Sequence, residues 1–274
     1  MQATVLTIAG SDPTGGAGLQ ADIKAMTVIG VYAAAAVTCI TVQNSRGVKR
    51  IEPLEPDLVA AQIRAVLEDH QVTHIKTGMI GTAAIAEAVS DTLEGFAGEI
   101  VVDPVLLSTT GQELLRPQDL AELKSSLFNR ATVITPNLPE LSALTGAGTN
   151  DPESALKAAD SLLEQFSNLR AVVVKGGHVT GEHEVTDLLL YRAIGIVKLA
   201  SSTRPFIVSR NTHGTGCALA SAYAAYHCLT GDDELAFYSS TNFIQQMLEK
   251  NRGRKIVINP EGFGGLLYGP VDRD

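Results

Sequence analysis

Short apolar runs rich in valine and isoleucine alternate along the chain with stretches whose apolar residues recur every three to four positions. The runs predict buried strands and the periodic stretches predict amphipathic helices. Strands are expected at Thr4–Ala9, Ala33–Val42, His74–Thr77, Ile100–Asp103, Thr132–Thr135 and Ala171–Lys175. Helices are expected at Leu19–Ile29, Pro56–Glu68, Thr82–Leu93, Pro117–Leu127, Pro139–Leu144, Pro152–Phe166, Cys217–Leu229 and Glu234–Glu249. Several open on proline, where a missing N–H does no harm. Val185–Tyr191 and Ile194–Leu199 predict an edge hairpin, and Phe206–Val208 a last short strand. The alternation implies a mostly parallel central sheet with helices on both faces. No linker, internal repeat or low-complexity tract interrupts it, so residues 1–274 are expected to form a single α/β domain.

Ligands in such sheets collect outside the carboxyl ends of the strands. The notable polar residues fall there. The sharpest signal is Asn211-Thr212-His213-Gly214-Thr215-Gly216-Cys217, which runs straight into the alanine-rich stretch Ala218–Tyr226. Glycine lets the backbone turn tightly against a ligand. A helix start presents unpaired N–H groups and partial positive charge, which suits a phosphate. Cys217 would lie in the first turn, a position expected to lower its pKa. His213 reads more simply as orienting the turn than as a dyad partner of Cys217.

Other strand ends carry chemistry with plainer alternatives beside it. Gly15-Gly16-Ala17-Gly18 lacks both the G-x-G-x-x-G spacing and a Walker lysine, so it reads as a tight turn or a ligand loop. Asp103, before Pro104, suits a phosphate-bound magnesium or a backbone cap. Asn137 and Glu140 in Thr135–Glu140 suit the same ligand or a helix start with Pro139 at its first position. Lys175, before Gly176-Gly177, suits a nucleotide phosphate or a snorkelling surface role. Gln43 ends a strand, where its amide would read a heterocycle or bond a loop. Cys39 and Cys228 read as core residues.

Composition narrows the function. The 274 residues carry a formal net charge of −9, which argues against a nucleic-acid face. Three widely spaced cysteines read as reduced thiols of a cytoplasmic protein. Met1–Thr4 lacks the basic region of a signal peptide, and no apolar run has membrane-spanning length.

One ordered set of segments resembles a known family. Its carriers are Ala9–Asp22 (AGSDPTGGAGLQAD), Val42–Val48 (VQNSRGV), Lys76–Gly81 (KTGMIG), Asp103–Val105 (DPV), Thr135–Glu140 (TPNLPE), Lys175–His178 (KGGH) and Asn211–Cys217 (NTHGTGC). Over Thr4 to Lys250 the chain resembles the hydroxymethylpyrimidine/phosphomethylpyrimidine kinases of thiamine biosynthesis, which have the ribokinase-like fold. The resemblance implies ATP as co-substrate, Mg2+, and a pyrimidine acceptor phosphorylated first on its hydroxymethyl group and then on the monophosphate. It implies that Gly214, Thr215, Gly216 and Cys217 form the anion hole, with Cys217 as the base. Gln43, the Ala17 backbone, Met79 and Val105 would hold the ring. Lys175, Asn137 and Thr212 would hold the nucleotide, and Asp103 and Glu140 the metal and phosphates. Family members are often dimers, so a homodimer is an expected assembly.

Two departures stand out. Leu106–Gly111 has no lysine where family members often carry one, and the tail from Asn251 matches poorly. The alternatives are pyridoxal kinase activity and a non-catalytic pyrimidine-binding regulatory protein on the same fold. A thiol hydrolase built on Cys217 and His213 lacks an orienting acid.

Overall fold

A computed structural model describes residues 4–108, 110–177 and 183–269. His178, at the end of the Lys175–His178 segment, lies outside them. The described strands form one nine-stranded sheet: β1 (Thr4–Ser11), β2 (Tyr32–Asn44), β3 (Gly47–Pro53), β4 (Val72–Thr77), β5 (Glu99–Val102), β6 (Val133–Ile134), β7 (Ala171–Val174), β8 (Glu184–Ala193) and β9 (Ile196–Pro205). The order is β3-β2-β1-β4-β5-β6-β7-β8-β9. The central strands β2, β1, β4, β5, β6 and β7 are parallel, and antiparallel strands close both edges. This is the mostly parallel α/β sheet that the alternation implies.

Helices cover both faces. Neighbouring residues of β1 feed opposite cores, as a period of two requires. Leu6 and Ile8 join a cluster with Val59 and Ile63 of α2 (Pro56–Asp69), Ile85 and Val89 of α3 (Ala83–Thr92), Leu123 of α4 (Leu120–Leu123), Leu141 of α5 (Leu138–Thr145) and Leu162 of α6 (Pro152–Gln165). Val5 joins the other cluster, with Met26 of α1 (Gly18–Ile29), Tyr223 of α7 (Thr215–Thr230) and Phe243 and Met247 of α8 (Asp233–Asn251). Every residue of β1 from Thr4 to Gly10 is buried, which explains why the run carries no charged residue and is broken only by small threonines.

Two local expectations are corrected, and one strand was not anticipated. Residues 206–208 form no strand; the chain leaves β9 at Pro205 and crosses irregularly to the glycine turn. Pro117–Leu127 is not one helix but a 3-10 turn (Pro117–Asp119), the short α4 and a π turn (Lys124–Phe128). β3 pairs antiparallel with β2 from a segment whose Lys49, Arg50 and Glu52 hid it from a hydrophobic pattern. The β8–β9 hairpin turns on Ile194 (φ 52) and Gly195 (φ 77), two left-handed residues as its twist favours.

Candidate active site

The carboxyl ends of the parallel strands open into a cleft of about 800 Å3. Every candidate residue named above lines it: Ala17, Gln43, Met79, Asp103, Val105, Asn137, Glu140, Lys175, Thr212, Gly214, Thr215, Gly216 and Cys217. Residues spread from position 17 to 217 therefore share one cavity because each follows or ends a strand of the same sheet.

The glycine turn is built as an anion site. Gly214 caps α7 with φ 80, and no side chain caps the helix start. Thr215 N turns back to Thr212 O at 3.3 Å, and the next first-turn N–H groups lend the cleft the partial positive charge of a helix start. A Cβ on Gly214 would overlap the carbonyl oxygen of Gly16, so this turn and the Gly15–Gly18 loop pack backbone against backbone. A Cβ on Gly216 would stand 3.4 Å from Lys175 Nζ, which brings that amine to the turn.

Lys175 is buried and is no snorkelling surface residue. Its Nζ donates to Asp103 Oδ1 at 2.6 Å and lies 3.7 Å from Glu140 Oε2. Thr135 Oγ1 also donates to Asp103 Oδ1, at 3.1 Å. Burial alone would raise the Asp103 carboxyl, but Lys175 and Lys76 outweigh it and hold the group below its ordinary value. Burial pushes Glu140 up to about 7, opposed by Lys175 and assisted by the Asp103 charge. Burial would lower the Lys175 amine, but the two carboxylates raise it.

Asn137 and Glu140 also serve the backbone, as the plainer reading held. They form a reciprocal capping box on α5, with Asn137 Oδ1 accepting from Glu140 N and Glu140 Oε2 accepting from Asn137 N, both at 2.8 Å. Pro139 takes the second helical position rather than the first, because α5 begins at Leu138.

The donor set fits magnesium. Asp103 Oδ2 is buried with no hydrogen-bond partner. Among the described residues no group of three or more His, Cys, Asp or Glu side chains converges. A site with one or two carboxylates and the rest supplied by phosphate and water oxygens is the kind Mg2+ uses.

Cys217 departs from expectation. Its position at the helix start was expected to lower its pKa; burial instead pushes the thiol up to about 11. Lys76 opposes that rise, whereas Asp103 and Asp22 add to it. Burial, with two buried carboxylates nearby, outweighs one helix end.

Two polar clusters were given no role by the sequence, one around Lys76 and Asp22 and one around Asp12. Lys76 is fully buried, with Nζ 3.0 Å from both Asp22 oxygens. Thr7 Oγ1 and Ser221 Oγ donate to the same carboxylate at 2.6 and 2.7 Å. Lys76 opens the Lys76–Gly81 segment, so its place before a glycine at a strand end was the available signal. Asp12 lines the cleft beside the glycine turn, with Oδ2 2.9 Å from His213 Nε2. It also accepts from the backbone N–H of Ala17 at 2.8 Å, so that N–H is engaged within the protein.

The tail is part of this architecture. Gly264 N donates to Arg210 O, His213 N donates to Gly264 O, and Phe263 N donates to Ser45 O. Gly265 packs against Gly16. Asn251, fully buried, donates to Met247 O and Leu267 O and accepts from Leu267 N.

This sheet and cleft are those of a ribokinase-like kinase of small molecules. The family described as phosphomethylpyrimidine kinase matches residues 12–260, and the chain belongs to that family. It is 37% identical to the hydroxymethylpyrimidine/phosphomethylpyrimidine kinase of Bacillus subtilis over 90% of each chain. It is 41% identical to the enzyme of that name from Escherichia coli, over 80% of this chain and 81% of the other. Among solved structures, phosphomethylpyrimidine kinase from Clostridium difficile superposes with a TM-score of 0.76 at 33% identity, covering 89% of this chain and 99% of that one. Pyridoxal kinase from Staphylococcus aureus, in complex with AMP-PCP and pyridoxal, superposes at 0.85 with 29% identity, covering 100% and 96%. Among the described residues no helix is long and apolar enough to cross a membrane.

Proposed function

We propose that the chain transfers the terminal phosphoryl group of ATP to the hydroxymethyl group of 4-amino-5-hydroxymethyl-2-methylpyrimidine, and then to the resulting monophosphate, in thiamine biosynthesis. The observation that carries this reading is the shared cleft. Gln43, Met79 and Val105 line it together with the uncapped start of α7 and the Lys175–Asp103 pair. The family membership and the names of the relatives point to the same acceptor.

In this reading the N–H groups of Gly214–Cys217 hold the transferring phosphoryl group, whose charge is spread over its oxygens. Lys175 adds a point charge beside Gly216. Asp103, through its unpartnered Oδ2, and Glu140 would hold magnesium. Bound Mg2+ supplies charge neutralisation on the phosphates. Gln43 meets the polar edge of the ring, and Met79 and Val105 cover its apolar surface. The Ala17 N–H is taken by Asp12, so Ala17 serves the ring by contact alone.

Cys217 accepts the alcohol proton in the first transfer. A thiol at about 11 is a minority thiolate at neutral pH, so the anion hole carries most of the acceleration. The second acceptor, a phosphate monoester with a second pKa near 6, is already largely dianionic and needs no base. Turnover with magnesium and ATP on the pyrimidine, its monophosphate and pyridoxal tests the reading. Phosphorylation of both pyrimidines supports it; phosphorylation of pyridoxal alone overturns it in favour of the alternative that the S. aureus neighbour represents.

A further inference from the structure

Beneath the glycine turn lies a buried ion pair to which the proposed chemistry gives no task. Lys76 of β4, Asp22 of α1, Thr7 of β1 and Ser221 of α7 are each fully buried. Asp22 Oδ1 accepts from Lys76 Nζ at 3.0 Å and from Ser221 Oγ at 2.7 Å. Asp22 Oδ2 accepts from Lys76 Nζ at 3.0 Å and from Thr7 Oγ1 at 2.6 Å. A carboxylate has about four acceptor sites, so this one is filled. Four elements from distant parts of the chain meet at one side chain.

Stability alone is a weak reason for such a pair. Desolvation offsets much of its attraction, and well-packed apolar residues often serve a core as well or better. A filled polar network does what apolar packing does not: it accepts one arrangement of its members. The arrangement here concerns two helix starts. α1 begins at Gly18 and α7 at Thr215, and no side chain caps either. Their entries touch backbone to backbone, since a Cβ on Gly214 would stand 2.8 Å from Ala17 Cα. Asp22 follows Gly18 by one helical turn, and Ser221 follows Cys217 by one turn. Residues so spaced share a helix face, and their side chains lean toward the helix N-terminus. The Ser221–Asp22 bond therefore joins α7 to α1 just beneath the anion hole. Lys76 fixes where that bond sits. A Cβ on Gly78 would stand 2.9 Å from Lys76 Nζ, so the chain closes over the amine just before Met79 enters the cleft. The bond from His213 to Asp12 holds the turn that precedes α7, whereas Ser221 sets the height and rotation of the helix itself.

We propose that Asp22, fixed by Lys76, is a positioning residue for phosphoryl transfer: through Ser221 it aims the first-turn N–H groups of α7 at the transferring group. The inference rests on the reading of Gly214–Cys217 as the anion hole. Asp22, Lys76 and Ser221 do not line the cleft, so they act through the helix and not on substrate. Gln43, Met79 and Val105 hold the ring from other parts of the sheet. Loss of the tie is therefore expected in the transition state and not in binding of the pyrimidine.

The test compares two variants that each remove one hydroxyl from the same carboxylate. Ser221→Ala cuts the tie to α7. Thr7→Val, nearly isosteric, cuts only a tie to the sheet. Both should lower the melting temperature by similar small amounts. Ser221→Ala should lower kcat on the pyrimidine about tenfold with KM little changed, because small misplacements of catalytic groups are costly. Thr7→Val should keep kcat within about twofold, since the helix start stays in place. Equal kcat losses in the two variants, or an unchanged kcat in Ser221→Ala, overturn the proposal. Amide hydrogen exchange gives a second readout that needs no reaction. The segment Gly214–Tyr223 should exchange faster in Ser221→Ala than in Thr7→Val; equal exchange overturns the proposal. The two readouts also separate this inference from the kinase reading. Faster exchange in Ser221→Ala, with a wild-type chain that phosphorylates neither pyrimidine, leaves the tie standing while the kinase reading fails. Wild-type turnover of the pyrimidines, with equal kcat losses and equal exchange in the variants, leaves the kinase reading standing while the inference fails.

Discussion

Lys175 Nζ stands 2.6 Å from Asp103 Oδ1 inside the cleft wall, so the cation assigned to the nucleotide already pairs with a carboxylate assigned to the metal. Removing one partner of such a pair strands a buried charge, at a cost of about 3–5 kcal/mol. Lys175→Met should therefore lower both the melting temperature and kcat. The double variant Lys175→Met/Asp103→Asn should recover much of the stability and none of the activity. Thermal melts and steady-state rates on the four chains check this; recovery of activity with stability would show that the pair is structural only.

Gly214 is needed for its conformation and for space. Gly214→Ala combines an unfavourable left-handed φ with overlap against Gly16. It should reduce kcat/KM by about a hundredfold or more, as expected when an anion hole is misplaced. Gly148→Ala has ordinary backbone angles and only a loose neighbour, and should leave rates unchanged. Comparable losses in both would show that the packing of the turn is not what matters.

The tail clasp predicts a coupling between stability and catalysis. Asn251→Ala unpairs the Leu267 backbone and frees the segment that meets His213. Leaving buried polar groups unmatched costs about 1–3 kcal/mol. A lower melting temperature and a raised KM for the pyrimidine are expected. An unchanged KM alongside lowered stability would limit the tail to a structural part.

At the opposite end of the sheet, His74 Nε2 meets His227 Nδ1 at 2.9 Å, and His227 Nε2 meets Arg170 Nη2 at 3.1 Å. Burial and the neighbouring His227 depress His74 from 6.5 to about 4, and burial with Arg170 depresses His227. A depressed histidine favours the neutral folded form. Its contribution is complete above the unfolded value near 6.5 and is lost as pH falls toward 4. About 2–3 kcal/mol should disappear over that window. Glu99 and Asp233, which Arg170 holds low despite their burial, add their loss only at lower pH. His74→Gln should flatten the fall in melting temperature between pH 6.5 and 4; an unchanged slope would assign the acid sensitivity elsewhere.

Local pattern carried most of the sheet and the strand-end candidates that line the cleft. The strands β1, β5 and β7 are mostly apolar and buried, and the strand-end polar groups stand out against them. β3 was hidden because an edge strand with Lys49, Arg50 and Glu52 has no buried pattern to read. Asp12 lay inside the Ala9–Asp22 segment, but its partner His213 is distant in sequence. The Cys217 thiol shows the limit most clearly. A helix start is a local feature and argues for a lower pKa, whereas the burial and the Asp103 and Asp22 charges that raise it exist only after folding.

That raised thiol gives its own test. Alkylation of Cys217 by iodoacetamide, followed by mass spectrometry, should be slow at pH 7 and accelerate toward pH 11, because the thiolate is the nucleophile. Fast labelling with a midpoint near neutrality would contradict the burial argument.

The most direct measurement follows the two phosphoryl transfers separately, in single turnover, for the wild-type chain and Cys217→Ala. The account predicts that Cys217→Ala slows transfer to the alcohol by about a hundredfold, the scale of general-base catalysis, and slows transfer to the monophosphate far less. It also predicts that the wild-type alcohol rate climbs with pH above neutrality while the monophosphate rate does not. Equal relative losses in the two steps, with matching pH profiles, would contradict it and leave Cys217 as a packing element of the anion hole.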